Sequence, residues 1–231
     1  MSRSTPPSRP AVIEPMESRR LMSLTLADVS IVRATLIYVE PVPTYLSGST
    51  LVVNGSTSGD NISIFQDPSN VIVNNRGTIT SWSVAAVGSI RVNGGDGDDS
   101  ITLNPGVNKP AVIYGGRGND VIQGGDGNDC VYGGEGADQL DGRGGIDYLY
   151  GQQGNDALTG GAGADYLYGG DNNDTFYAKG DGSLDNIDGG LGWDVAYVDP
   201  TYTAELPLPP PFNVPYTVQG DYVSGVEQMF S

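Results

Sequence analysis

A nine-residue period constrains this chain more than any other feature. From residue 115 to residue 177 it reads GGRGNDVIQ, GGDGNDCVY, GGEGADQLD, GRGGIDYLY, GQQGNDALT, GGAGADYLY, GGDNNDTFY, seven consecutive nonapeptides with no gap. Each has an aspartate at its sixth place: Asp120, Asp129, Asp138, Asp147, Asp156, Asp165 and Asp174. Each has an apolar residue at its eighth: Ile122, Val131, Leu140, Leu149, Leu158, Leu167 and Phe176. A unit this short cannot bury its apolar face alone, so it must stack on its neighbours in a solenoid. An acid held at one phase of a glycine-rich turn implies a cation between the turns.

The unit divides into six turn residues and three strand residues. Glycine at the first, second and fourth places permits positive φ and close approach of backbones. Asn172 replaces a fourth-place glycine and tolerates the left-handed region. Arg143, Gln152 and Gln153 suit such turns less well, which predicts less regular geometry there. In triplets such as Cys-Val-Tyr and Tyr-Leu-Tyr the middle side chain points to one face and its flankers to the other. The middle residue is always apolar, so it faces inward. A hairpin between three-residue strands would invert this pattern, whereas a parallel coil of two nonapeptides preserves it. The expected fold is therefore all-β, a right-handed parallel β-roll of eighteen residues per coil. Tyr114, Tyr132, Tyr150 and Tyr168 are spaced by eighteen and should form one outward ladder. Tyr148 and Tyr166 should form a second, shorter one.

Stacking brings sixth-place aspartates from alternate units together, and without a counter-ion they would repel. Carboxylates plus turn carbonyls form the hard oxygen set of Ca²⁺, whereas Mg²⁺ demands a tighter octahedron and keeps its waters. Zn²⁺ and Cu²⁺ favour His or Cys ligands, but the chain has no His and a single cysteine, Cys130. Further units extend the array. GGDGDDSIT at 94–102 supplies Asp99, GDGSLDNID at 180–188 supplies Asp185 after a two-residue insertion, and GGLGWDVAY at 189–197 supplies Asp194. GVNKPAVIY at 106–114 follows a three-residue insertion and keeps the strand phase, but Ala111 stands where the acid should be. One side then pairs Asp99/Asp120, Asp120/Asp138, Asp138/Asp156, Asp156/Asp174 and Asp174/Asp194. The other pairs Asp129/Asp147, Asp147/Asp165 and Asp165/Asp185. These are eight possible calcium sites, five of them free of insertions and degenerate ends. Eight divalent ions would nearly offset the formal net charge of −17.

Residues 94–197 closely resemble the RTX, or hemolysin-type, calcium-binding β-roll of secreted bacterial proteins. The resemblance implies Ca²⁺ held by Asp99, Asp120, Asp129, Asp138, Asp147, Asp156, Asp165, Asp174, Asp185 and Asp194 together with turn carbonyls. It also implies an extracellular or cell-surface location. PAVIEPMESRRLMS at 10–23 resembles the LEPR-XLL-type N-terminal segment of bacterial secreted or surface proteins, with Met16 and Met22 where leucine is usual.

The chain divides into a disordered or targeting segment at 1–40, a β-strand cap at 41–93, the roll at 94–197 and a C-terminal cap at 198–231. Strands are expected at 50–53, 61–65, 71–74, 78–82 and 89–92, from their alternation and turn residues. Asp60 and Ile62 keep repeat phase in a decayed unit, and Asp60 has no obvious partner. Strands at 216–218 and 226–230 would close the far end. No apolar run approaches the ~20 residues of a membrane span, and no apolar core of ordinary signal-peptide length precedes a small-residue cleavage site. A lone cysteine excludes an internal disulfide, and strong acidity argues against nucleic-acid binding. Without histidine no Ser-His-Asp or Cys-His arrangement can form. These features favour a non-catalytic calcium-binding module. The alternatives are an adhesin that binds carbohydrate or another surface through the tyrosine ladders and, less favoured, a polysaccharide-active solenoid enzyme.

Overall fold

The computed structural model describes residues 44–178, 182–198, 222–224, 226 and 228–230. The segment expected at 1–40 and the strand expected at 216–218 lie outside the described residues. The chain enters through β1 (Thr44–Ser47) and β2 (Thr50–Asn54), then crosses to β3 (Asn61–Gln66). β3 carries the antiparallel additions β4 (Asn70–Asn75) and β5 (Thr78–Ser83), and the chain returns through β6 (Ser89–Asp96). It then alternates between two sheets through β7 (Ser100–Leu103), β8 (Ala111–Arg117), β9 (Val121–Gln123), β10 (Cys130–Glu135), β11 (Gln139–Gly144) and β12 (Tyr148–Gln153). β13 (Ala157–Ala162), β14 (Tyr166–Asp171), β15 (Thr175–Ala178), β16 (Asn186–Leu191) and β17 (Val195–Val198) continue the alternation. β18 (Tyr222–Ser224) and β19 (Gln228–Phe230) end it, one on each sheet.

The first sheet runs β1-β2-β6-β8-β10-β12-β14-β16-β18, and the second runs β19-β17-β15-β13-β11-β9-β7-β3-β4-β5. Pairing is parallel except at β1/β2, β3/β4 and β4/β5. This is an all-β parallel β-roll. Cys130 pairs with Tyr148 and Gln139 with Ala157, which is the expected eighteen-residue coil. Partners drift to 21 apart at Ile90/Ala111 and to 20 apart at Tyr166/Asn186, where the two insertions lie.

The eighth-place residues fill the space between the sheets. Ile113, Val131, Leu149, Leu167 and Ile187 line one wall, and Ile101, Ile122, Leu140, Leu158, Phe176 and Ala196 the other, each at most 1% exposed. β2, β3, β4 and β6 continue this core with Leu51, Val53, Ile62, Ile64, Val71, Val73, Ile90 and Val92. The strands are longer than the three residues read from the repeat. β10 runs six residues because pairing resumes at Gly134/Gly116 and Glu135/Arg117 beyond the first-place glycine.

The turns at Arg143 and Gln152 are regular, contrary to expectation. Both residues adopt the glycine conformation, with φ of 71° and 81°, and both keep register, with Gly161 and Gly170. Gln153 simply continues the strand. The cost is local strain of about 1–2 kcal/mol for a side chain in that region. Arg143 makes compensating bonds. Its guanidinium donates to the Leu103 carbonyl at 2.8 Å and to Gln123 Oε1 at 2.7 Å, beside the first insertion.

Tyr114, Tyr132, Tyr150 and Tyr168 form one column on the outer face of the first sheet, with centroids 4.9 Å apart and planes within 8°. Tyr148 and Tyr166 stack at 4.6 Å, and Tyr177 and Tyr197 form a third pair on the second sheet. Stacked in this way, the inner rings cover one another's faces and present edges and hydroxyls.

Candidate metal centre

All ten aspartates singled out from the repeat are buried, each at most 2% exposed. They form two columns. In the first, the backbone N–H of Asp99 donates to Asp120 Oδ1, Asp120 to Asp138, Asp138 to Asp156, Asp156 to Asp174 and Asp174 to Asp194, each at 2.8 Å. In the second, Asp129 donates to Asp147 Oδ1 at 2.7 Å, Asp147 to Asp165 at 2.8 Å and Asp165 to Asp185 at 2.9 Å. The neighbours are those expected from the eighteen-residue spacing.

Each carboxylate thus spends one oxygen on the preceding coil. The other oxygen is the unusual one. Oδ2 of Asp99, Asp120, Asp138, Asp147, Asp156 and Asp174 is buried and accepts no hydrogen bond. A buried polar atom left unpaired costs about 1–3 kcal/mol, more for a charged group. The first-place glycines show what surrounds it. A methyl group at Gly142 would meet Asp147 Oδ2 and lie 2.6 Å from the Gly160 carbonyl oxygen. At Gly115 it would meet Asp120 Oδ2 and lie 2.6 Å from the Gly133 oxygen; at Gly133, Asp138 Oδ2 and 2.9 Å from the Gly151 oxygen. Only glycine leaves the carboxylate and the next coil's carbonyl their room.

Among the described residues no three carboxylate, thiol or imidazole side chains converge on one point. A cation here would draw on one or two carboxylates and on backbone carbonyls. That all-oxygen set suits Ca²⁺ and lacks the nitrogen and sulfur of transition-metal sites.

Two aspartates at the N-terminal ends of the columns are satisfied by the protein itself. Asp60, without an apparent partner in the sequence, faces Arg76, whose Nε lies 3.2 Å from Oδ1. Its Oδ2 accepts from Ser56 N and Oγ at 2.5 and 3.0 Å, and its own N–H donates to Asp99 Oδ1 at 2.7 Å. Asp129 Oδ1 accepts from Ala111 N and Oδ2 from Gly125 N, both at 2.8 Å. Where the repeat decays, a guanidinium or a backbone N–H stands against the carboxylate.

A second ladder went unread in the sequence. Fifth-place Asn119, Asn128, Asn155 and Asn173 accept through Oδ1 from the N–H of Ala137, Ile146, Asn173 and Trp193, at 2.8–3.0 Å. These bonds reach the following coil, opposite in direction to the aspartate bonds, so each such turn is held from both sides. The recurring Asn-Asp pair was the available signal.

Burial is the first cause of the carboxylates' titration. It pushes Asp147 up to about 8, Asp99, Asp138 and Asp174 to about 7, and Asp129 and Asp156 to about 6. Neighbouring carboxylates add to the effect at Asp147, Asp138, Asp174 and Asp99. The columns therefore hold negative charge poorly unless positive charge joins them.

The RTX calcium-binding nonapeptide repeat matches in four copies, over residues 91–109, 112–140 and 141–176. These repeats belong to the RTX calcium-binding family. No curated protein and no solved structure matches the chain. The match supports Ca²⁺ binding by these repeats, and the columns offer the all-oxygen chemistry that suits it. No helix among the described residues is long and apolar enough to cross a membrane.

Proposed function

We propose that this protein is a secreted or cell-surface, non-catalytic module whose RTX roll folds when it binds Ca²⁺ outside the cell. The observation that carries this reading is the row of buried carboxylate oxygens without donors. Asp99, Asp120, Asp138, Asp147, Asp156, Asp165, Asp174, Asp185 and Asp194 would hold the ions with turn carbonyls; Asp129, whose oxygens already accept from Ala111 N and Gly125 N, would join them only through a remaining lone pair. Calcium would supply the positive charge that the columns lack.

Without it, acid repulsion and ordering entropy oppose a thin core. Extracellular calcium modules bind at about 0.1–1 mM, so the chain stays loose at cytosolic calcium and folds after export. At tenfold excess over the dissociation constant each independent site adds about 1.4 kcal/mol. Five to eight such sites would give roughly 7–11 kcal/mol, comparable to the stability of a whole domain. The test is circular dichroism of the full chain during chelation and calcium titration. Loss of the β signal on chelation, with recovery on titration, is expected. An unchanged signal after chelation refutes calcium-driven folding.

A further inference from the structure

At the N-terminal end of the first sheet's outer face, Tyr45, Thr50, Asn54, Arg91, Asn93 and Tyr114 help to line a cleft of about 350 Å³. β1 pairs antiparallel onto β2, with Tyr45 opposite Val52. Val52 faces outward yet is only 6% exposed, which makes it the floor of a concave site. The volume lies at the small end of ligand sites, enough for one or two sugar rings.

Three features define the ligand. The first is a free aromatic face. Tyr114 is the first ring of the ladder, and Tyr132 covers one side of it. On the other side its register partner is the shorter Asn93, so no aromatic ring covers that face, its outer part stands open above the amide, and the residue is 39% exposed. Tyr45 adds a second exposed ring. The second is an uncommitted cation. The described cationic residues are Arg76, Arg91, Lys109, Arg117 and Arg143, and Arg76, Arg117 and Arg143 face Asp60, Glu135 and Asp141. Arg91 is exposed and forms no ion pair among the described residues. On a chain of formal charge −17, such a guanidinium beside a cleft suits a carboxylate, which it can hold through two parallel bonds. The third is a fixed polar wall. Asn93 Nδ2 donates to Asn54 Oδ1 at 2.5 Å, and Thr50 and Ser89 hydroxyls lie 3.0 Å apart, so these groups are held before a ligand arrives. Rings for a sugar's apolar face, amides and hydroxyls for its own hydroxyls, and one cation for an acid form a coherent set.

We propose that this cleft binds an acidic saccharide, with a uronic acid ring against the open face of Tyr114 and its carboxylate on Arg91. The site lies at the ladder's end because stacking closes the inner faces. It requires a folded roll but not any particular ion within it.

The test is isothermal titration of the full chain, folded in calcium, with a galacturonic acid trisaccharide and with its methyl ester. The acid should bind, and the ester, which keeps the rings and loses the charge, should bind about tenfold more weakly, as for loss of one charge-assisted contact. Arg91→Gln should weaken the acid by a similar factor and leave the ester unchanged. Tyr114→Ala should weaken both, Tyr114→Phe should retain both, and Tyr148→Ala, in the second ladder, should alter neither. Far-UV circular dichroism verifies that each variant is folded. Equal affinity for acid and ester, indifference to Arg91→Gln, no binding of either sugar, or equal damage from Tyr148→Ala would overturn the proposal.

Discussion

Gly142 and Gly144 lie two residues apart in one turn, both at ordinary φ, and alanine separates them. At Gly142 the new methyl meets Asp147 Oδ2, 2.6 Å from the Gly160 carbonyl oxygen and 3.0 Å from Asp147 Cβ. At Gly144 the nearest atom is Asp126 Cα at 3.8 Å, an ordinary contact. Both substitutions restrict the unfolded chain and gain about 0.4–1 kcal/mol from that alone. Only Gly142→Ala must also displace a carboxylate or a backbone carbonyl, and overpacking of this kind costs about 1–3 kcal/mol. The two variants should therefore differ by about 1–3 kcal/mol, with Gly144→Ala at or slightly above the parent. At about 2–4 °C per kcal/mol for a domain of this size, the gap is readable by thermal circular dichroism in saturating calcium. Calcium titration should show weaker binding for Gly142→Ala alone. If the two variants melt within about 0.5 kcal/mol of each other, the first-place glycines do not guard the carboxylates, and the reasoning about the site fails.

Asp147 is held between coils in the regular middle, whereas Asp194 ends its column; Asp147→Ala should weaken cooperative calcium binding far more, and equal losses in isothermal titration would refute the pairing. Gln152→Gly should relieve about 1–2 kcal/mol of strain at φ 81° and lose about 0.4–1 kcal/mol through a more flexible unfolded chain, a net gain of up to about 1 kcal/mol in a melt, since no described hydrogen bond of that side chain is lost. A carboxyl raised from 3.8 to about 6 at Asp156 or about 8 at Asp147 holds its proton more tightly folded than unfolded. Its contribution is therefore whole below pH ~4 and lost as pH rises through the folded values. Calcium-free protein should then show more β signal at pH 5 than at pH 8, and calcium affinity should rise over the same interval.

What could be read beforehand was whatever repeats. The coil length, the inward eighth place and both aspartate columns follow from a phase that local chemistry enforces in every unit. The rest depends on departures from the phase. Arg76 reaches Asp60 only because β4 and β5 fold back on β3, a tertiary fact with no periodic trace. β1 carries no repeat signal. The Tyr177/Tyr197 pair was hidden because the insertion stretches its spacing to twenty. The turns at Arg143 and Gln152 illustrate the reverse case, in which neighbouring coils impose a conformation that the residues themselves disfavour.

The Asp60–Arg76 pair bears on a difficulty inherent in repetition. A chain whose units are nearly interchangeable can slip by one whole coil and still stack leucine on leucine and carboxylate on carboxylate, so the main interactions barely distinguish the correct alignment from its neighbours. Discrimination falls to features that occur once. The guanidinium is one: it meets a decayed turn whose serine hydroxyl and amide already grip Asp60. Because β4 folds back directly on β3, Arg76 meets this turn and no other, and the pair marks one fixed end of the column from which the coils are laid down. A buried polar pair often adds little to stability but can specify alignment. On this view the irregular end indexes the array, and the regular middle, however many ions it holds, could not count its own coils.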